Sequence, residues 1–149
     1  MTEMLETKMN ACIFCSIIKR DAWAAIVAED EDHLAFMDNR PVSAGHALVV
    51  PKKHYEDIFT MKTEEVAKLY AFASEMARAV KAATSADGVS IVQNNGPSTG
   101  QRIPHVHVHI IPSSLDRPFV MKWQKIELRE KELEAVAKKI RGEANRGHV

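Results

Sequence analysis

Pro104-His105-Val106-His107-Val108-His109-Ile110-Ile111-Pro112 is the stretch on which the reading of this chain turns. Histidine holds every second position from 105 to 109, with valine in each gap and isoleucine after the last. Side chains along a strand leave on alternate faces, so the three imidazoles share one face, successive ones roughly 7 Å apart. Val106, Val108 and Ile110 fill the other face and suit a core, and Pro112 is expected to stop the strand. The bland alternative is a half-exposed strand whose polar face happens to be histidine. Histidine is not a favoured filler of such faces, and the chain has only seven. A row of this kind can bind a metal, hold an anionic substrate, or use one imidazole as a nucleophile positioned by its neighbours.

Working outward, Asn94–Gly100 (NNGPSTG) is a turn-rich loop that feeds into the histidine strand and can present amide donors to a phosphate. Val89–Gln93 before it reads as a strand. Thr63–Ala83 is the clearest helix: Val66, Leu69, Tyr70, Ala73, Met76, Ala77 and Val80 follow the helical period, with Thr63 as N-cap and Gly88 soon after the end. That stripe reads as core. His46–Pro51 (HALVVP) reads as a buried strand, and Asn39–Gly45 as a loop. Ala24–Glu29 and His33–Asp38 form a hairpin turning at Asp30-Glu31-Asp32, and Ile13–Lys19 begins a short helix. Residues 1–10 read as a flexible tail, and 124–141 as a charged amphipathic helix with Glu127/Lys131 and Glu134/Lys138 as i,i+4 pairs. Hairpin-linked strands with one long helix predict an α+β domain with a mainly antiparallel sheet, spanning 11–149.

At 149 residues the chain is long enough for one substantial core. Lys plus Arg (20) equals Asp plus Glu (20), which gives no global attraction to nucleic acid or to an anionic membrane. No apolar run approaches the ~20 residues of a membrane span, and the polar N-terminus lacks the form of a signal peptide. The expected location is therefore cytoplasmic, where Cys12 and Cys15 would not form a structural disulfide.

His107, flanked by an imidazole on each side, is the best-placed nucleophile. Gly45-His46 brings a fourth imidazole to where two strands can meet, as a structural group or as part of the cluster. Cys12-Ile13-Phe14-Cys15 is half a zinc site that histidines would have to complete, His54 and one of the row being candidates. Two inert buried cysteines are the alternative reading. A thiol redox role is weaker, since no βαβ unit flanks the pair.

HVHVHIIP resembles the His-x-His-x-His-x-x signature of the histidine-triad (HIT) nucleotide-binding family. The resemblance runs over roughly residues 11–112, through CIFCSIIKRDAWAAIVAEDEDHLAFMDNRPVSAGHALVVPKKHY and IVQNNGPSTGQRIPHVHVHIIP. It implies the HIT fold, a five-stranded antiparallel sheet with one long helix, continued across a homodimer. The segment 113–149, with its helix, lies outside that core signature. The implied activity is hydrolysis or transfer at the α-phosphorus of a nucleotide through a nucleotidyl-histidine, read here as hydrolysis of a purine nucleotide. By position His107 is similar to the nucleophile, His109 to the neighbour that contacts the α-phosphate, and His105 and His46 to the residues that complete and orient the cluster. Asn94 falls where the family places an amide near the phosphate, and Asp38 where it places the acid that bonds the ribose hydroxyls. Ile13, Phe14 and Ile17 resemble the wall around the base, and Gly100 and Gln101 belong to the same nucleotide-binding set.

A bacterial-type branch implies a structural zinc on Cys12, Cys15, His54 and His105. Arg102 departs from the Ser or Thr of many hydrolytic members. The expected substrate is a nucleoside 5′-phosphoramidate or related AMP derivative. The rivals are a dinucleoside polyphosphate hydrolase, a nucleotide-binding or scaffold module with little catalysis, and a site in which the three triad histidines hold one catalytic metal.

Overall fold

A computed structural model describes residues 2–4 and 11–148; of the tail expected at 1–10, residues 1 and 5–10 lie outside the described residues. Five strands form one antiparallel sheet in the order β1-β2-β3-β5-β4. They are β1 (Ile26–Glu29), β2 (His33–Met37), β3 (Ala47–Pro51), β4 (Gly88–Gln93) and β5 (Val108–Ser113). The chain divides into two compact units, residues 1–119 and 120–149. No helix among the described residues is long and apolar enough to cross a membrane.

The sheet is covered on both faces, which explains why β3 reads as an unbroken apolar run. Ala35, Val49, Val106, Val108 and Ile110 meet Leu69, Phe72, Ala73 and Val80 of the long helix. Leu34, Phe36, Leu48 and Val50 on the opposite face meet Phe14, Cys15 and Ile17 of the short helix α1 (Ile13–Ile18). The β1–β2 hairpin turns where expected. There Asp30 Oδ1 accepts the backbone N–H groups of Asp32 (2.9 Å) and His33 (2.7 Å).

Three local expectations shift. The long helix α2 runs Thr63–Thr84 with Lys62, not Thr63, as its N-cap. Ser85, at φ +54°, closes it in place of a glycine. Its buried stripe includes Phe72 and leaves Tyr70 at the surface. His33 stacks on Phe72 at 5.3 Å, and this places the ring against the sheet. Second, β5 continues through Pro112 to Ser113. β3 has ended at that level, and the Pro112 carbonyl accepts the Ser43 hydroxyl (2.9 Å), so the missing N–H costs no ladder bond. Third, in the C-terminal unit the helix α3 begins at Glu130 and ends at Glu143. Glu132 accepts the Arg129 N–H (2.8 Å) and sets the N-terminus there. Glu127 therefore precedes the helix and cannot pair with Lys131 at i,i+4, while Glu134 bonds Arg141.

Candidate active site and metal cluster

His105 sits in a bend and His107 in the segment just before β5, and His109 lies within the strand. Sheet pairing does not hold the first part of this segment; the Val106 N–H instead donates to the Tyr55 carbonyl (2.7 Å). Alternation persists, with Val106, Val108 and Ile110 under α2 and the imidazoles on the α1 side. Phe14 meets His105 and His107 edge-on, at 5.8 and 5.1 Å between ring centres. Ile17 is buried in the same layer, whereas Ile13 is half exposed. Gly45 lets the chain turn at φ +98° hard against α2, where a Cβ would stand 2.5 Å from Thr84 Cγ2; this delivers His46 to the edge of β5.

Hydrogen bonds fix every ring in this row. His107 Nδ1–H donates to the His105 carbonyl (2.7 Å), so its Nε2 carries the lone pair. His46 Nδ1 accepts the Val42 N–H (3.1 Å), so its proton is on Nε2, from which it donates to His109 Nδ1 (2.9 Å). That leaves His109 with Nε2–H as a donor beside the nucleophile candidate, the two rings 5.0 Å apart. Asp38 Oδ2 lies 3.5 Å from His46 Nε2, and its Oδ1 accepts the Arg40 N–H (2.8 Å). Burial pushes His46 and His107 below the ordinary imidazole range, only partly opposed by the Asp38 charge, so both are neutral at pH 7.

His105 faces elsewhere. Its Nε2–H donates to the Pro51 carbonyl (2.8 Å), and its Nδ1 looks toward Cys12 Sγ (3.4 Å), Cys15 Sγ (3.6 Å) and His54 Nδ1 (3.1 Å). Cys15 Sγ is 3.3 Å from His54 Nδ1, and the four donor atoms all lie within 4.8 Å of one another. A tetrahedral zinc with Zn–N ~2.1 Å and Zn–S ~2.3 Å needs donor separations of roughly 3.4–3.8 Å, so the set fits with small adjustments. Burial, and then the Cys12 sulfur, push the Cys15 thiol up to about 12. A pair of thiolates here therefore calls for a cation to share. The Pro51 carbonyl supplies the outer hydrogen bond that fixes a ligating imidazole.

Asp38, His46 and His109 also bring donor atoms within 4.8 Å, but their protons are misplaced for a metal. His46 cannot shift its proton to Nδ1, which faces an N–H donor, so Nε2 has no lone pair to give. The same bookkeeping disfavours one metal on all three triad histidines, since the His105 lone pair faces the cysteine cluster and that of His109 takes the His46 Nε2–H, so only that of His107 is open.

The loop residues divide. Asn94 is half buried, with no side-chain partner among the described residues. Asn95, indistinguishable from it by composition, is a brace: Oδ1 accepts Ile58 N–H (2.9 Å), and its amide pairs with Gln93. Gln101 is committed to the loop, accepting Gly96 N–H (2.7 Å) and donating to the Glu56 carbonyl (2.7 Å). Gly100 turns at φ +91°. Arg102 is exposed. The groups that sequence reading missed are backbone ones, the Pro51 and His105 carbonyls and the Val42 N–H, which leave no mark in side-chain identity.

A model of the HIT domain matches residues 19–115. The chain belongs to the HIT family. An uncharacterised HIT-like protein of Methanocaldococcus jannaschii is 41% identical over 88% of this chain and 99% of its own. The adenosine 5′-monophosphoramidase of Schizosaccharomyces pombe is 32% identical over 87% and 96%. Among solved structures, this HIT chain is similar to a Streptococcus mutans protein (TM-score 0.85, 37% identity, 91% of this chain and 86% of that one). A zinc-bound histidine triad family protein from Mycobacterium smegmatis matches with TM-score 0.71 and 32% identity, over 90% and 98%.

The buried histidines make the fold acid-labile. Burial first, then neighbouring imidazoles, push His109 down to about 4, and burial does the same to His105. The unfolded chain takes up protons at these sites below about pH 6.5, while the folded chain does so only near 4. Stability is therefore intact above that window and falls as pH drops through it. Thermal melts from pH 7.5 to 4.5 are expected to show a steep decline below pH 6.5; a flat profile would contradict the neutral assignment.

Proposed function

We propose that this HIT protein hydrolyses purine nucleoside 5′-phosphoramidates or related AMP derivatives at the α-phosphorus. The family includes nucleotide hydrolases, and the S. pombe relative is an adenosine 5′-monophosphoramidase. The observation that carries the reading is the free Nε2 of His107, a neutral ring pinned through Nδ1 to the His105 carbonyl. Nε2 attacks the α-phosphorus as the bond to the leaving group breaks, the departing amine taking a proton from solvent, and a nucleotidyl-His107 forms; water then adds to phosphorus, the P–N electron pair returns to Nε2, and the water's proton passes to solvent. His109 Nε2–H donates to the phosphoryl oxygens as charge develops, and His46 holds it in that tautomer. Asn94 offers an amide to the same phosphate, Gly100 and Gln101 shape the loop beside it, and Asp38 takes the ribose hydroxyls. Phe14, Ile17 and the rim residue Ile13 enclose the base.

In the same reading Cys12, Cys15, His54 and His105 hold a zinc ion that ties α1, the segment after β3 and the triad strand together, and the Mycobacterium smegmatis relative is zinc-bound. The expected homodimer adds its second sheet through an edge; β4 is an edge strand with one side of its backbone unpaired.

A matched pair of substrates tests this. Rapid AMP release from adenosine 5′-phosphoramidate, much faster than from a diadenosine polyphosphate, is the expected result. The reverse preference, with a nucleoside polyphosphate among the products, would place the chain on the polyphosphate branch. Tight AMP binding without turnover of either would make it a binding module.

A further inference from the structure

In the C-terminal unit, α3 carries an apolar stripe that this unit does not cover. Leu133, Val136 and Ile140 are 54%, 48% and 63% exposed, and they recur with Ala137 at three- and four-residue steps along one side of the helix. The charges beside the stripe are segregated. Glu130, Glu132 and Glu134 lie in the first half; Lys139 and Arg141 lie in the second, with Glu143 as the terminal residue and Arg141 bonded to Glu134 of its own helix. We propose that α3 pairs antiparallel with α3 of a second copy of this chain.

The reversed pairing is what the charges favour. With Leu133 set against Ile140 of the second copy, and Val136 near its own counterpart, both flanks become complementary. On one flank Arg141 of each copy comes between Glu130 and Glu134 of the other. On the other flank Glu132 comes opposite Lys139. A two-fold axis through Val136 repeats each contact, as an isologous interface requires. A parallel pair would face each flank with the opposite one, setting Glu132 beside Glu130 and Glu134 and Lys139 beside Arg141, and lose all of these contacts. The contact is confined to one 14-residue helix per copy. It falls short of the ~1,200 Å² of an interface that stands alone, so it is weak, salt-sensitive and best read by cross-linking.

Variants of the full chain that each add one cysteine to the buried Cys12 and Cys15, kept at low salt under mild oxidation and mapped by peptide mass spectrometry, distinguish the arrangements. Val136→Cys is expected to cross-link to itself, and Leu133→Cys to Ile140→Cys when the two are mixed. Leu133→Cys alone should link far less, its two copies being about 10 Å apart along the axis. Adding Arg141→Glu to Val136→Cys should lower the yield roughly fivefold. Adding Glu130→Arg and Glu134→Arg to that chain should restore it, with far-UV circular dichroism confirming that α3 stays helical. Self-linking of Leu133→Cys as strong as that of Val136→Cys would overturn the antiparallel register. Yields at Val136 no higher than at an opposite-face Lys131→Cys control would overturn the pairing itself.

Discussion

His107→Ala is expected to lower turnover at least ~1,000-fold while leaving nucleotide affinity within about tenfold. The two effects separate because the ring does two unequal jobs. As nucleophile it supplies the Nε2 lone pair, and no other imidazole in the row can replace it. His109 carries its Nε2 proton because His46 donates to its other nitrogen (2.9 Å), and the His105 lone pair is turned toward two sulfurs and His54. Binding depends on groups that alanine leaves in place, such as the Phe14 wall, the Asp38 carboxylate and the loop from 94 to 101. The fold should tolerate the change, since His107 contributes one hydrogen bond to a carbonyl and an edge contact with Phe14. Single-turnover rates and AMP titration on the same sample give both numbers. Residual turnover near the wild-type rate would remove His107 from the nucleophile role.

What was legible in advance follows the range of each interaction. Alternation between histidine and valine is a strand property written in adjacent residues, and it holds even where His105 and His107 precede the paired part of β5. The length of α2 was equally plain, but its rotation was not. Phe72 displaces Tyr70 from the core because His33, distant in sequence, offers a stacking partner. α3 starts six residues later than its charge pattern predicts, since the bond between Glu132 and the Arg129 N–H outweighs a charged periodicity that extends further back. In the site, the residue types could be read directly while their protonation could not. Tautomers here are set by the Val42 N–H and by the carbonyls of His105 and Pro51, and any residue type supplies those groups. The adjacent pair Asn94-Asn95 shows the same limit: composition marks the loop, but only packing shows that Asn95 braces it against Ile58.

Cys15→Ala is expected to lower Tm by ~10 °C or more, with the purified protein retaining little zinc. Cys12 and Cys15 bracket the first turn of α1, His54 follows β3, and His105 opens the triad segment, so one ion on these four joins three pieces of chain that are far apart in sequence. Without a cation only weaker contacts remain to join these pieces, with His54 Nδ1 3.1 Å from the His105 Nδ1 acceptor and burial holding the Cys15 thiol protonated. Removing one sulfur also leaves a small cavity, and a chelator separates the two causes. Wild-type protein treated with a strong chelator should lose most of the same Tm and recover it on adding zinc, whereas the variant should respond to neither. Turnover per folded molecule should change much less than stability, because the bond that pins His107 comes from the backbone carbonyl of His105 rather than its ring. Wild-type protein that contains no zinc and melts identically with and without chelator would reduce the four residues to two buried thiols beside two histidines. A collapse of activity at unchanged Tm would instead place the metal in the chemistry.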